Sequence, residues 1–349
     1  MSEFVESFGL TMDEVLHARE TAHSYLNSNK AQLAIEGLMR FAPDADRASR
    51  DALHSNWIHL LSSAGQSNSI MQVGDGNPKL ASLQGYIDGC LLDPIAWVDP
   101  ATWALFYAAR QGSDDLQLDA CSAPSSESHL SGQLLGVLKT RCEVWRVPVA
   151  PALGRLGKSL ALDEIDLSIL GGEQETGGDF AFVLDLATGS ESDPRTLVPL
   201  IFQAKRYVRP NADISQHHRR RGYQRTLLAR NDCKSAYIFY ENATMAIDLP
   251  LPPLVKPVES TFGSLRTDAT SGSMDLATYL VTSLHSPGGA PRAVDANEAL
   301  RMIYKKSYPS RIAIIADDKT VHARYEAQLK ALAPEISHKD GDGTELPVG

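Results

Sequence analysis

The stretches DFAFVLDL (residues 179–186) and LVPLIFQAKRYV (residues 197–208) decide the fold expected for this chain. Each is a short apolar run rich in β-branched and aromatic residues, which is typical of a buried strand. The intervening ATGSESDPRT (residues 187–196) has the glycine, proline, serine and aspartate of a turn. We therefore predict two neighbouring antiparallel strands that pair across this turn.

Polar side chains stand at the matching ends of these two strands. Residues two apart in a strand share a face, so Gln203 and Lys205 project together and Ile201 continues that face inward. Antiparallel pairing brings Asp179, at the start of the first strand, beside them. Mg²⁺ prefers oxygen ligands, and a bound cation lowers the pKa of an attacking water. The group is suited to phosphodiester cleavage, with Asp179 as central metal ligand, Gln203 supplying an amide oxygen and Lys205 neutralising charge.

Two further acidic residues are candidates for the same site. SESHLSGQLLGVLKTR (residues 126–141) has leucines at helical spacing, and Glu127 lies one turn before Leu130 on that stripe. Glu127 either points inward as a functional carboxylate or is a first-turn glutamate favoured by the helix dipole. Asp185 shares the strand parity of Asp179, and is either a second metal residue or an aspartate that ends the strand before a turn.

Periodicity and turn signals organise the rest of the chain. Residues 11–112 are predicted to be helical, with a capping box from Thr11 to Glu14 and a helix that opens at Asp99-Pro100 and has Gly112 at its far end. The other expected elements are extended runs over 142–150 and 163–170, a helix over 213–230, a strand over 235–242, helices over 274–284 and 296–304, and a strand over 311–317. The proline-rich residues 248–260 are expected outside the centre of the sheet, and residues 335–349 are expected to fray.

GGD (residues 177–179), a hairpin, QAK (residues 203–205) and a basic segment together resemble the PD-(D/E)XK nuclease superfamily, in its variant with glutamine at the acidic position. The resemblance covers residues 127–240, whose predicted helix–strand–strand–strand–helix–strand order is that of the superfamily. It implies an α/β protein with a restriction-endonuclease-like mixed central sheet. The residues that match the superfamily pattern are Asp179 (central aspartate), Gln203 (the D/E position), Lys205 (the lysine) and Glu127 (the acidic residue of the first helix).

The resemblance also implies an activity. It predicts a Mg²⁺-dependent nuclease, with Mn²⁺ able to substitute, that hydrolyses DNA in bacterial restriction, phage defence or toxin activity, and it makes a homodimer possible. The ligands would be Asp179, Gln203 and Glu127, and Glu175 in ETGGD is an alternative to Glu127 as the principal acidic ligand. Two alternatives stay open: a catalytically inactive nuclease-like module that binds nucleic acid, favoured by the charge missing at Gln203, or the same chemistry on RNA.

A basic strip follows the QAK motif. From Lys205 to Arg230 there are eight basic side chains and one acidic side chain, in a chain with a formal net charge of −10. Such a strip binds phosphates by Coulomb attraction and counterion release, although most charge runs are solvated helix faces. The expected nucleic-acid contacts are Arg206, Gln216, Arg219, Arg220 and Gln224. Three of them, Gln216, Arg220 and Gln224, would share one face of the predicted helix.

Composition bounds the remaining possibilities. The chain has 349 residues, of which 43% are hydrophobic, and four widely separated cysteines without zinc or redox spacing. The sequence shows no basic leader and no apolar run of membrane length, so we expect a cytoplasmic protein with no membrane partner. We predict a helical N-terminal region of unknown role over 1–120 and a nuclease-like domain over 121–349. Within that domain, 125–245 would be the core and 246–349 a C-terminal extension.

Overall fold

The chain combines N-terminal helices with a mixed β-sheet that is covered by helices on both faces. The computed structural model describes residues 10–61, 89–166, 178–186, 197–218, 222–242, 249–285, 290–304, 309–318 and 320–341. The prediction of an α/β protein with a mixed central sheet after N-terminal helices is confirmed.

Helices precede, separate and follow the strands along the sequence. They are α1 (Met12–Leu26), α2 (Asn29–Phe41), α3 (Pro43–Ser55), α4 (Trp57–Leu60), α5 (Pro100–Asp115), α6 (Glu127–Arg146), α7 (Ala150–Arg155), α8 (Gln224–Leu228), α9 (Leu276–His285), α10 (Ala296–Ile303) and α11 (Val321–Gly341). The capping box is confirmed, because Thr11 Oγ1 accepts from the Glu14 backbone N–H while Glu14 Oε2 accepts from the Thr11 N–H.

The described strands form one large sheet and one small hairpin. They are β1 (Ala161–Asp166), β2 (Phe180–Asp185), β3 (Val198–Val208), β4 (Asn211–Asp213), β5 (His217–His218), β6 (Gly222–Tyr223), β7 (Lys234–Glu241), β8 (Leu254–Pro257), β9 (Arg266–Asp268), β10 (Met274–Asp275) and β11 (Arg311–Ala316). The main order is β1-β11-β2-β3-β7-β8-β10, with β4 and β9 attached to β3 and with β5 paired to β6.

The sheet is mixed because two of its strand pairs, β2–β11 and β3–β7, are parallel while the others are antiparallel. β2 and β3 pair antiparallel, as the sequence predicts, with Phe180 opposite Phe202. β7 lies parallel to β3 on its other side, and β11 lies parallel to β2. β1 pairs with β11 rather than with β2, so a strand from the end of the chain separates β1 from β2.

Each face of the sheet has its own apolar core. Phe180, Phe182 and Leu184 of β2 contribute to a first cluster with α5, α6 and α9. Ala181 and Val183 contribute to a second cluster with α10 and α11. All six residues of β2 are buried, which is the expected pattern for a strand covered on both faces. The first cluster also contains residues of α1 and α2, so the N-terminal helices share a core with the sheet.

The extended run predicted over residues 142–150 is wrong. This segment completes α6, passes through one 3₁₀ turn (Val147–Val149) and enters α7. Leu138, Cys142 and Trp145 are buried at helical spacing, whereas Glu143 and Val144 between them are exposed. The apparent alternation of apolar residues is accidental, and packing against α5 decides in favour of the helix.

The helix predicted over residues 213–230 is also wrong for most of its length. Of the described residues in this range (213–218 and 222–230), only Gln224–Leu228 is helical, and it follows the β5–β6 hairpin. Gly222 has a φ of +88°, a left-handed conformation that a helix cannot contain and that glycine adopts without strain. Gln216 and Gln224 therefore do not lie on one helix face.

Three smaller expectations are corrected as well. β8, within the proline-rich segment, is an internal strand that pairs with both β7 and β10. Gly112 does not end α5, which runs on to Asp115 and into a π turn (Leu116–Ala120). α11 extends through residues 335–341, which were expected to fray. Within the described ranges, no helix has both the length and the apolar character needed to cross a bilayer.

Candidate functional site

The site is built where the beginning of β2 meets the middle of β3. Gly178 and Asp179 immediately precede β2, and Asp179 N–H donates to Phe202 O of β3 (2.9 Å). A Cβ added at Gly178 would come within 2.6 Å of Ile201 Cγ2, so only glycine lets the chain pass this close to β3. Gly178 of the GGD motif thus allows Asp179 to reach the strand that contains Gln203.

Asp179 is bound directly to the QAK motif. Its Oδ2 accepts from Gln203 Nε2 (2.5 Å) and from the Ala204 backbone N–H (2.8 Å). Gln203 and Lys205 are both buried and lie on the same face of β3 as Ile201, as strand parity predicts. The prediction that Asp179 lies beside the QAK motif is therefore confirmed.

The Asp179 carboxyl group has a perturbed pKa. Its removal from water raises the pKa to about 6, and the hydrogen bond from Ala204 N–H and the charge of Lys205 oppose this rise. The negative charge of Glu127 adds to it. A carboxyl group that titrates this close to neutrality in a polar cluster is typical of functional sites, although structural networks also perturb pKa values.

Glu127 joins the cluster from the first residue of α6. Its Oε1 accepts from the Arg206 backbone N–H (3.0 Å), and its Oε2 lies 3.7 Å from Lys205 Nζ. Glu127 is thus a first-turn glutamate that also faces the lysine, and its role as a functional carboxylate stays a prediction. Lys205 Nζ donates in addition to Gln216 Oε1 (2.9 Å), which fixes the ammonium group between an amide and a carboxylate.

The two glutamines expected to contact nucleic acid differ in position. Gln216 is exposed as a residue, but its amide oxygen binds Lys205. Gln224 is buried, and its Nε2 donates to Gln203 Oε1 (2.7 Å). Gln224 was expected to contact nucleic acid from a helix face shared with Gln216, but it is buried against Gln203 because the hairpin before α8 turns the first residue of that helix into the site.

The basic strip is only partly available to a ligand. Arg206 and Arg230 are exposed, whereas Arg209 is bound to Glu241 and lies over the Phe41 ring, with 4.0 Å from Cζ to the ring centroid. Arg219 and Arg220, together with Glu175, lie outside the described residues. Arg206 Nη1 donates to Ser125 O (2.7 Å), so its guanidinium is held at the margin of the site beside Glu127.

Asp185 belongs to a different part of the sheet. It ends β2, about 20 Å along the strand from Asp179. Its buried Oδ2 accepts from Arg324 Nη2 (2.6 Å) and from Tyr325 O–H (3.2 Å). The strand-end interpretation of Asp185 therefore agrees with the geometry, and this carboxylate connects the sheet to α11.

We expect Asp185→Asn to lower the free energy of unfolding by about 1–2 kcal/mol, because a charge-assisted hydrogen bond to the half-exposed Arg324 is lost. Any activity at Asp179 should persist below the unfolding transition. Urea denaturation and cleavage assays measure the two effects separately. A variant with unchanged stability and abolished activity would show that Asp185 belongs to the site instead.

Sequence reasoning missed Ser310, which binds the backbone carbonyl of Asp179. Its backbone N–H and its hydroxyl both donate to Asp179 O (3.2 and 2.8 Å), although it lies 131 positions further along the chain. No local pattern around residue 310 announces this contact. It arises because β11, which begins at the next residue, lies parallel to β2.

The donor set fits a hard divalent cation in part. Asp179 and Glu127 are carboxylates, and Gln203 has an amide oxygen. Within the described ranges, no group of three or more His, Cys, Asp and Glu side chains is arranged to hold a metal ion. As described, Gln203 turns its amide nitrogen, not its oxygen, toward Asp179. Gln203 can therefore act as an oxygen ligand for a metal ion only if its amide turns over.

Comparisons with known proteins do not add to this geometry. The chain matches no protein-family model, no curated protein and no solved structure. The function of the protein has to be inferred from its residues and their arrangement.

Proposed function

We propose that the protein is a Mg²⁺-dependent nuclease of the PD-(D/E)XK type that hydrolyses phosphodiester bonds of DNA. One observation carries this proposal: Asp179, Gln203, Lys205 and Glu127 come together from three separate elements. The residues that would hold the ion are Asp179, Gln203 and Glu127. The homodimer and the defence setting that the resemblance implies stay predictions.

The chain's own side chains have distinct tasks in the proposed reaction. When bound, Mg²⁺ supplies positive charge for the phosphate oxygens and favours ionisation of a nearby water. Water gives up a proton to the solvent and attacks the phosphorus, and the P–O bond to the leaving sugar oxygen breaks. That oxygen takes up a proton from the solvent, which yields a phosphomonoester and an alcohol. Lys205 Nζ stabilises the negative charge that develops on the phosphoryl oxygens. Glu127 and Gln216 hold Lys205 in place.

A non-catalytic nucleic-acid-binding module is the second candidate, and a specific observation favours it. The Gln203 amide donates to Asp179, an arrangement that is stable without a metal ion. In such a module, Arg206 and Arg230 would still attract phosphates.

Cleavage of supercoiled plasmid DNA with Mg²⁺, Mn²⁺ or EDTA tests the proposal, with a single-stranded RNA of equal nucleotide concentration as a parallel substrate. Metal-dependent nicking of the plasmid is the expected result. Salt-sensitive DNA binding without cleavage under any metal condition would support the binding module instead. Cleavage of RNA alone would transfer the same chemistry to RNA.

Metal affinity is expected to depend on pH through Asp179. Its pKa of about 6 means that the folded protein holds a proton on this carboxyl group below pH 6, and this proton must leave before a cation binds. The dissociation constant for Mn²⁺ should therefore rise by about tenfold per pH unit below 6 and level off above 7. Calorimetry at pH 5, 6, 7 and 8 measures this change, and a constant affinity across the range would contradict it.

A further inference from the structure

The amide side chains of Gln203 and Gln224 extend a series of hydrogen bonds from Asp179 into the protein. Asp179 Oδ2 accepts from Gln203 Nε2 (2.5 Å), and Gln203 Oε1 accepts from Gln224 Nε2 (2.7 Å). Each glutamine is only 2% exposed. At the inner end of this series, Gln224 Oε1 is buried and finds no hydrogen-bond partner among the described residues.

The direction of this series follows from the group at its outer end. An ionised carboxylate only accepts hydrogen bonds, so Asp179 draws the nitrogen of Gln203 toward itself. Gln203 then presents its oxygen to Gln224, which must answer with its own nitrogen. Gln224 Oε1 thereby has no donor among the described residues, and a buried acceptor without a donor is energetically costly. The hydrogen bonds around Asp179 are thus satisfied while the buried Gln224 Oε1 is left without a donor among the described residues.

We propose that Gln203 and Gln224 form a two-amide switch, in which both amide groups turn over together when a divalent cation binds at Asp179. This inference rests on the proposed nuclease function. In the turned state, Gln203 Oε1 faces the cation beside Asp179, and Gln203 Nε2 donates to Gln224 Oε1. Gln224 is therefore a positioning residue, which makes the amide oxygen of Gln203 available as a ligand.

The switch requires little rearrangement of the protein. The oxygen and the nitrogen of an amide have nearly the same size, so turning both groups leaves the packing unchanged. The hydrogen bond between the two glutamines is kept with its direction reversed, and Gln224 Oε1 gains a donor. In exchange, Gln203 Nε2 gives up its hydrogen bonds to Asp179 Oδ2 and to Ala204 O (3.2 Å), and cation binding has to offset this loss. Without a cation, the turned state would place Gln203 Oε1 against the Asp179 carboxylate, and this repulsion keeps the metal-free protein in the described arrangement.

The switch explains why a motif with glutamine at position 203 would need Gln224 beside it. A glutamate at position 203 would present an oxygen in either orientation and would need no partner to select it. A glutamine presents an oxygen in only one of its two orientations. Gln224 should consequently matter for metal binding when residue 203 is glutamine and much less when it is glutamate.

Calorimetric titration with Mn²⁺ at pH 7.5 tests this dependence in four proteins: the natural chain, Gln224→Leu, Gln203→Glu, and the double variant. We expect Gln224→Leu to weaken Mn²⁺ binding about tenfold in the natural chain and less than about twofold in the Gln203→Glu background. Equal weakening in both backgrounds would show that Gln224 only packs the site, and no weakening in the natural chain would remove its role. Either result overturns the switch.

Two further results separate the switch from the nuclease proposal. If the natural chain and Gln203→Glu both bind no Mn²⁺, the proposed metal site itself is wrong, and the switch falls with it. If Gln224→Leu does not fold by circular dichroism, Gln224→Glu replaces it, because a carboxylate can only accept and therefore holds Gln203 in the turned orientation. We then expect Mn²⁺ affinity at least equal to that of the natural chain, and a tenfold loss would overturn the switch.

Discussion

Lys205→Met is expected to lower the rate of DNA cleavage by about 10²–10³-fold, because it removes the preorganised charge that faces the reacting phosphate. The Lys205 side chain is only 8% exposed, and its ammonium group is fixed by Glu127 and Gln216, so neither water nor another cation replaces it. Methionine keeps most of the side-chain volume. Asp179→Asn should lower the cleavage rate by a similar factor and should also weaken Mn²⁺ binding.

Lys256→Met is the matched control for this loss. Lys256 is another buried lysine of the same sheet, two strands away from Gln203 in the register. Its Nζ is fully engaged with Thr267, Asp268 and Ser271, so its removal should affect stability and not cleavage. Initial rates of plasmid nicking at saturating Mg²⁺ measure both variants. Equal losses in the two lysine variants would contradict a specific role for Lys205, and full activity of Lys205→Met would refute the site.

Phe202→Ala is expected to lower the free energy of unfolding by about 3–5 kcal/mol. Phe202 is fully buried in the first core, on the face of β3 opposite Gln203. Its ring stacks on Phe180 at 5.4 Å between centroids and meets Tyr279 of α9 edge-on at 5.7 Å. Alanine leaves a cavity between two strands and a helix. This cavity cannot collapse, because the paired strands β2 and β3 fix the positions of the residues around it.

Phe262→Ala controls for the loss of a phenylalanine in general. The Phe262 side chain is 54% exposed, so its removal should change stability by less than about 0.5 kcal/mol. Urea denaturation followed by circular dichroism measures both variants. A loss below about 1.5 kcal/mol for Phe202→Ala would mean that the two faces of the sheet repack freely, contrary to the close packing described for the first core.

Local pattern was sufficient for the elements that form the centre of the site. Strand alternation and turn residues predicted β2, β3 and their antiparallel pairing, and strand parity placed Gln203 and Lys205 on one face. These features depend on neighbours within a few residues, where the backbone geometry of a strand leaves few choices. The same reasoning failed over 213–230, where Gly222 interrupts an apparently helical pattern.

The sequence by itself determined the α/β class, the β2–β3 hairpin and the meeting of Asp179 with the QAK motif, because each follows from short-range periodicity. Only the tertiary structure decided that β11 inserts between β1 and β2, that Ser310 supports Asp179, and that Gln224 is buried against Gln203. These contacts join segments far apart in the chain, and they are selected by which apolar faces bury each other. No local pattern specifies that selection, since many strand orders satisfy the same alternation of residues.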